Sequence, residues 1–315
     1  MKLLTVIVNY RTAPHVLEGL SELVPQLASL GDAEVWIVDN KSPDDSVSVL
    51  KREIAARGYG DRVRLIESPI NGGFGAGNNV AIREALRLPS PPELFYFLNP
   101  DACPDPGAVA ALVDFFAREP DAAIAGTAIH DPDGTPHASA FRFPTLWSEL
   151  EGSLRVGVIS DLLDDHKVSM PIPETSQPVD WVSGASVAFR RSVFETVGVF
   201  DEDFFLYFEE VDLCHRAHRA GQKTWYVREA SVGHIGSVVT GVAFERRVPP
   251  YWFASRAHYL EKAYGGAFLA AANVITVLGS LGSRARHLIK GEGFGGQPHF
   301  IKDFVRYSLF PKPRP

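Results

Sequence analysis

Several acidic and amide side chains in this sequence sit where oxygen ligands and proton acceptors would be useful. Asp101 lies in LNPDA, directly after the apolar run Leu94–Leu98. A carboxylate at the end of a buried strand can reach a divalent cation. Hard cations such as magnesium or manganese take oxygen ligands, often one or two carboxylates plus substrate phosphates. The same aspartate could equally cap a turn, since Pro104 and Pro106 follow it. Glu209, Glu210 and Asp212 crowd together beside Leu206, Tyr207 and Phe208. Carboxylates clustered among aromatics have their pKa values raised by desolvation and mutual repulsion, which suits a general base. The plainer alternative is that some of them cap a helix start and complement its dipole. The stretch Asn71 to Asn79, NGGFGAGNN, permits close backbone approach to a ligand. It is neither a GxxxxGKS/T phosphate loop nor a GxGxxG fingerprint, and a flexible turn is its alternative reading. His234, in VGHIGS, could complete a metal site if the fold brings it to Asp101; a lone histidine is more often structural.

These residues need a scaffold, and the first hundred positions describe one. Leu3–Val8, Val35–Val38, Val63–Ile66 and Leu94–Leu98 are apolar, β-branched or aromatic runs of strand length. Between them Val16, Leu17, Leu20, Leu23, Val24 and Leu27 recur at helical spacing, a second helix follows Asp44, and a third is expected over residues 78–88. Strand–helix–strand repetition predicts an α/β fold with a mainly parallel, doubly wound sheet. Such sheets bind ligands at the carboxyl ends of their strands. Asn9, Asp39 and Asp101 each follow an apolar strand, so they are placed at that edge.

The second half changes character. Ala122–Ile129 and Trp181–Phe189 read as strands, and Trp225 to Val227 as another; residues 250–290 read as helical. Residues 140–180, rich in Pro, Ser and Asp, are expected to form a long loop over the site. The helix-like stretch Ala267–Leu281 is followed by Arg284, Arg286, His287 and Lys290. It reads as a buried or homodimer-forming helix, or as one lying in a membrane interface. Residues from about Gly291 are expected to be a loose tail.

With 45% hydrophobic residues the chain has material for a full core, and its net charge of −7 argues against a nucleic-acid partner. Two cysteines form neither a disulfide framework nor a zinc pattern, and the N-terminus lacks a cleavage site. The expected location is the cytoplasm, with peripheral contact to the inner face of the cytoplasmic membrane as an open extension.

Taken in order, the motifs resemble the family-2 glycosyltransferases of the GT-A fold, in particular the rhamnosyltransferase-like branch. VIVNY at 6–10, IVDNKSPD at 37–44, NGGFGAGNN, LNPDA at 98–102, WVSGASVAFRR at 181–191, FDEDFFLYFEEVDLCHRAHRAG at 200–221 and GHIGS at 233–237 carry the likeness. The resemblance covers roughly residues 2 to 265. It implies a catalytic domain over 1–265 and a helical extension over 266–315, either membrane-associated or dimer-forming.

The resemblance also implies roles. Asn9 and Asp39 would contact the donor's nucleobase and ribose, with Asn71, Gly73 and Asn78 along the donor pocket. Asp101 would bind magnesium or manganese at the donor diphosphate, helped by His234. Asn99 stands in that motif where many relatives have aspartate, and is grouped with the donor-binding residues. Glu210 would be the general base, with Glu209 and Asp212 as alternatives. Trp181 and Gly184 would border the acceptor, and Arg216 would lie near the diphosphate or buttress the acidic block. The implied reaction is inverting transfer of a sugar, such as rhamnose from dTDP-rhamnose, to a hydroxyl of a glycan or lipid-linked acceptor in cell-surface polysaccharide synthesis. The alternatives are a nucleotidyltransferase and a non-catalytic nucleotide-sugar-binding protein.

Overall fold

A computed structural model describes residues 2–154, 156–236, 247–291, 297 and 299–309. The chain runs β1 (Leu3–Asn9), α1 (Ala13–Ser29), β2 (Ala33–Asp39), α2 (Ser46–Ala56), β3 (Val63–Glu67), α3 (Gly73–Ala85), β4 (Leu94–Leu98), β5 (Ala102–Pro104) and α4 (Ala108–Arg118). It continues through β6 (Ala122–His130), β7 (Pro136–His137), β8 (Ala140–Phe141), α5 (Leu146–Leu154), α6 (Gly157–Leu162), β9 (Gln177–Val179), β10 (Trp181–Val182), β11 (Ser186–Arg190) and α7 (Arg191–Val197). It ends with α8 (Glu209–Arg219), β12 (Lys223–His234), α9 (Pro250–Tyr264), α10 (Gly266–Lys290) and α11 (Phe300–Leu309).

The main sheet has the order β3-β2-β1-β4-β11-β6-β12-β5, with β7 and β9 attached to β6 and β12. β1 pairs in parallel with both β2 and β4, and β12 runs parallel to β6; β11 is antiparallel to β4 and β6. All of β1 is buried, and its side chains alternate between two cores. Leu3 and Ile7 join the core beneath α1, α2 and α4, whereas Leu4 and Val6 join the core beneath α3, α7 and α8. Helices cover both faces, which is why the strands read as unbroken apolar runs rather than alternating ones.

Four expectations change. The glycine run is not a flexible turn but the first turns of α3, which begins at Gly73. Gly73 has φ of 86°, and a Cβ there would meet the Phe205 carbonyl oxygen at 1.7 Å. No other residue type fits that approach. Residues 140–180 are not a loop over the site: they carry α5, α6 and short strands, and α5 packs on α10. The span 181–189 is two strands, β10 and β11, broken at residues 183–185. Within the expected tail, α11 buries Phe304 against Phe253 of α9, and Arg247 pairs with Asp303 at 2.5 Å; residues 310–315 lie outside the described ones. α9 and α10 meet at Gly265, whose φ is 90°. Beyond it α10 folds back onto α9 and α5.

Candidate active site

A cavity of about 760 Å³ opens at the carboxyl ends of β1 and β4. Asn71, Gly73, Asn99, Asp101, Gly184, Glu209, Glu210 and His234 all line it. Residues more than 130 positions apart in the chain are brought together because β12 ends beside β5: His234 is in register with Ala102, the neighbour of Asp101.

Asp101 is buried, and its Oδ1 has no hydrogen-bond partner. That oxygen lies 3.3 Å from His234 Nε2, and the same ring nitrogen lies 3.3 Å from Asn99 Nδ2. A proton on Nε2 would point at the carboxylate, whereas an unprotonated Nε2 would accept from the Asn99 amide and leave two acceptors, Nε2 and Asp101 Oδ1, side by side. A buried acceptor facing another acceptor costs free energy unless something positive joins them. Octahedral magnesium or manganese, with bonds of about 2.1 Å, holds neighbouring ligand atoms about 3 Å apart, so the spacing and the orphaned oxygen fit such an ion. A second group, Asp201, Asp203 and His258, could also hold a metal by spacing. It lies outside the cavity, and Lys262 Nζ, 2.7 Å from Asp201, already supplies the countercharge.

The opposite wall is the first turn of α8. Tyr207 and Phe208 precede it with φ of 69° and 71°, the left-handed region that non-glycine residues rarely occupy. Local contacts hold that segment: Phe74 N–H donates to the Phe205 carbonyl, Ser255 Oγ to the Leu206 carbonyl, and Phe208 stacks on Tyr259. The bend delivers Glu209 and Glu210 side by side to the cavity. Burial, then the charge of Glu210, drives the Glu209 carboxyl well above the usual range, and Glu209 Oε2 has no partner. Burial also raises Glu210, opposed by backbone N–H groups that include that of Gly184. Gly184 sits so close that a Cβ there would stand 3.5 Å from the Glu210 carboxyl.

Other expected residues lie elsewhere. Asn9 is buried and does not line the cavity: its amide donates to Asp39 Oδ1 at 2.7 Å, and its oxygen accepts from Thr12. Asp39 accepts further bonds from Ser42 Oγ and N, and it is the next residue, Asn40, that reaches the cavity. Asn78 is buried within α3, donating to the Phe74 carbonyl. Trp181 stacks on Phe141 at 4.1 Å and donates to the Arg142 carbonyl, away from the cavity. Asp212 pairs with Arg216 at 2.8 Å and Lys262 at 2.9 Å, so it is neutralised and turned from the site. Arg216 also donates to the carbonyls of Val197 and Val199. These contacts tie α8 to the end of α7.

The sequence did not single out the aromatic wall. Tyr10, Phe205 and Tyr207, with Tyr251 and Trp252 from the first turn of α9, line the cavity. Tyr207 and Tyr251 stack with centroids 6.2 Å apart. The FFLYF run at 204–208 was a visible signal for part of it; nothing in the sequence brings α9 alongside.

A parallel-centred sheet with carboxylates and a histidine at its strand ends, over a cavity sized for a small ligand, is the arrangement of an α/β ligand-binding enzyme site. The chain belongs to glycosyl transferase family 2, whose model matches residues 5–198. It is 32% identical over 247 residues to the N-acetylglucosaminyl-diphospho-decaprenol L-rhamnosyltransferase of Mycobacterium tuberculosis, covering 75% of this chain and 76% of that one. It is 26% identical over 239 residues to the O-antigen chain rhamnosyltransferase WbaN of Salmonella anatum, covering 75% and 67%. Among solved structures, the mannosyltransferase PcManGT of Pyrobaculum calidifontis, in complex with GDP-Man and Mn2+, aligns with a TM-score of 0.57 at 16% identity over 98% of this chain and 81% of its own. GalNAc-T7 with UDP, GalNAc and Mn2+ aligns with a TM-score of 0.63 at 12% identity over 99% and 56%. These likenesses establish the GT-A arrangement of the fold.

Proposed function

We propose that this glycosyltransferase moves a deoxysugar of the rhamnose type from a nucleoside-diphosphate donor to a hydroxyl of a lipid-linked glycan, with inversion, and that Glu210 is its general base. The observation that carries the reading is that three residues with orphaned acceptors, Asn40 Oδ1, Asp101 Oδ1 and Glu209 Oε2, line one cavity. The rhamnosyltransferase names of the relatives support the sugar, and the decaprenol-linked substrate named for the mycobacterial one supports the acceptor.

Asp101 and His234 would hold a magnesium or manganese ion, which when bound supplies positive charge against the leaving diphosphate. Asn40, Asn71 and the backbone at Gly73 form the donor side of the cavity. Glu210, held by the Gly184 backbone and raised by burial, takes the proton of the acceptor hydroxyl as its oxygen attacks the anomeric carbon. Burial and the charge of Glu210 raise Glu209, so of the two it is the one that holds its proton more tightly; two adjoining buried carboxyls cannot both be charged cheaply. The aromatic wall gives sugar rings an apolar face to pack on and displaces water, the competing acceptor.

A donor screen tests the reading. Purified protein with magnesium or manganese is offered dTDP-rhamnose and a panel of UDP- and GDP-sugars, and nucleoside-diphosphate release is scored with a polyprenyl-linked acceptor. Release selective for dTDP-rhamnose and abolished by chelator is expected. Release selective for a UDP- or GDP-hexose would remove the rhamnose assignment, and nucleotidyl transfer without release would remove the whole reaction.

A further inference from the structure

The helix α10 is built inside out. Among the described residues it is the helix long and apolar enough to cross a membrane, yet its polar side chains are the ones the protein buries. Asn273, Thr276, Ser280 and Ser283 all point inward, along with Gly279, which a side chain would drive into Ser153 of α5. Arg256, 4% exposed, explains the choice. It donates to Asn273 and Thr276 and pairs with Glu149 at 2.6 Å, so α10 must offer oxygens to that buried network.

The opposite face is left to the outside. Ala267, Ala270, Val274, Leu278, Leu281, Ala285 and Leu288 are exposed, and at 100° per residue they form one stripe about 30 Å long. Val274 is 57% exposed, Leu278 63%, Leu288 77% and Ile289 86%. A water-facing helix would place its Asn, Thr and Ser residues there. Charge points the same way. The chain carries a net −7, but α10 has no acidic residue and carries Arg284, Arg286 and Lys290. Arg284 is exposed one turn before Leu288 and, at 100° per residue, about 40° from it around the helix, on the border of the stripe.

We propose that the outward face of α10 docks in the plane of an anionic lipid bilayer, with Leu278, Leu281 and Leu288 among the acyl chains and the basic residues among the headgroups. A bilayer-crossing helix is disfavoured because its other face is committed to α5, α9 and the buried Arg256–Glu149 pair. A second copy on the same stripe would bring no acidic side chain of this helix to meet the cations. Val277 packs toward Phe253, beside the cavity-lining Trp252. Docking therefore sets the cavity wall about one helix diameter, ~10 Å, from the headgroups.

The full chain is sedimented with vesicles of phosphatidylcholine alone and of phosphatidylcholine with phosphatidylglycerol. Binding to the anionic vesicles is expected, and L278E/L281E should lower the partition coefficient at least about tenfold, since two leucines leave the apolar phase. Both positions are exposed, so the melting temperature and nucleoside-diphosphate binding should not move. R284E should weaken the preference for anionic over neutral vesicles. Failure of the wild-type chain to bind either vesicle overturns the proposal, as does unchanged binding by L278E/L281E. A dimer in sedimentation velocity that this variant dissociates, without any lipid binding, replaces the bilayer with a second copy. Nucleotide binding is read on the same samples, so failure of the docking surface is distinguishable from failure of the enzymatic reading.

Discussion

The two sides of the cavity treat their buried polar groups in opposite ways. On the β1–β2 side, Asn9, Thr12, Asp39 and Ser42 satisfy one another away from the cavity, and only at the cavity itself does the neighbouring Asn40 leave an oxygen, Oδ1, without a partner. On the β4–α8 side, Asp101 Oδ1 and Glu209 Oε2 are buried with no hydrogen-bond partner, and both residues line it. A saturated network supports the fold; an unsatisfied one costs about 1–3 kcal/mol per group and persists where a ligand completes it. The first side is scaffold for the second.

The largest expected effect lies on the unsatisfied side. Glu210→Gln should lower turnover by about 10²–10⁴ while leaving nucleoside-diphosphate affinity unchanged. Near wild-type turnover in a release assay would move the base elsewhere. Asp101→Ala should weaken manganese-dependent nucleotide binding by about 10–100-fold in calorimetry, the scale of a lost charged contact. In the apo-protein, Asp101→Asn should leave the urea midpoint unchanged or raise it, because it removes a buried carboxylate whose Oδ1 has no hydrogen-bond partner. Asn9→Ala should do the reverse. It strips donors and acceptors from a saturated network and should cost about 1–3 kcal/mol of stability, with turnover per folded molecule retained. If Asn9→Ala abolished nucleotide binding at unchanged stability, the division between the two sides would fail.

The smallest effect is in pH. Glu210 must be charged to accept a proton, and burial raises its pKa, so the acid limb of kcat/KM should lie above the ordinary carboxylate range of about 4–4.5. Activity is lost as pH falls through that raised value. Glu209 is the member raised by its neighbour's charge, so Glu209→Gln keeps a neutral group beside Glu210 and should leave the limb in place. A limb that moves downward in this variant would show that Glu209 carries charge where Glu210 titrates.

Strand ends were legible because apolar runs stop abruptly: Asn9, Asp39 and Asp101 all stand where the sequence put them, at the carboxyl edge of the sheet. Whether each side chain turns toward the cavity or toward a neighbour was not legible, since it depends on partners such as Thr12 and Ser42 in the loops that follow. The acidic block shows the same limit. Its three carboxylates are equivalent in sequence, but Arg216 and Lys262 claim Asp212 and leave the glutamates to the cavity. The Lys262 contact comes from α9, fifty residues on, as do Tyr251 and Trp252. The glycine run misled for a physical reason: glycine weakens a helix in isolation, and only the close approach of Phe205 explains why one begins there.

Gly73 has a further consequence. The Phe205 carbonyl presses on its Cα while accepting from Phe74 N–H at 3.2 Å, so the start of α3 and the lead-in to Glu209 and Glu210 are joined backbone to backbone. The spacing between the cavity wall at Gly73 and the wall at Glu209 and Glu210 is therefore set in part by a main-chain joint. Side-chain exchange at the cavity wall can retune which sugar is accepted without altering that separation. A descendant of this chain that needed a wider gap would have to gain or lose residues between 198 and 209, because point substitution at 73 would break the joint rather than stretch it.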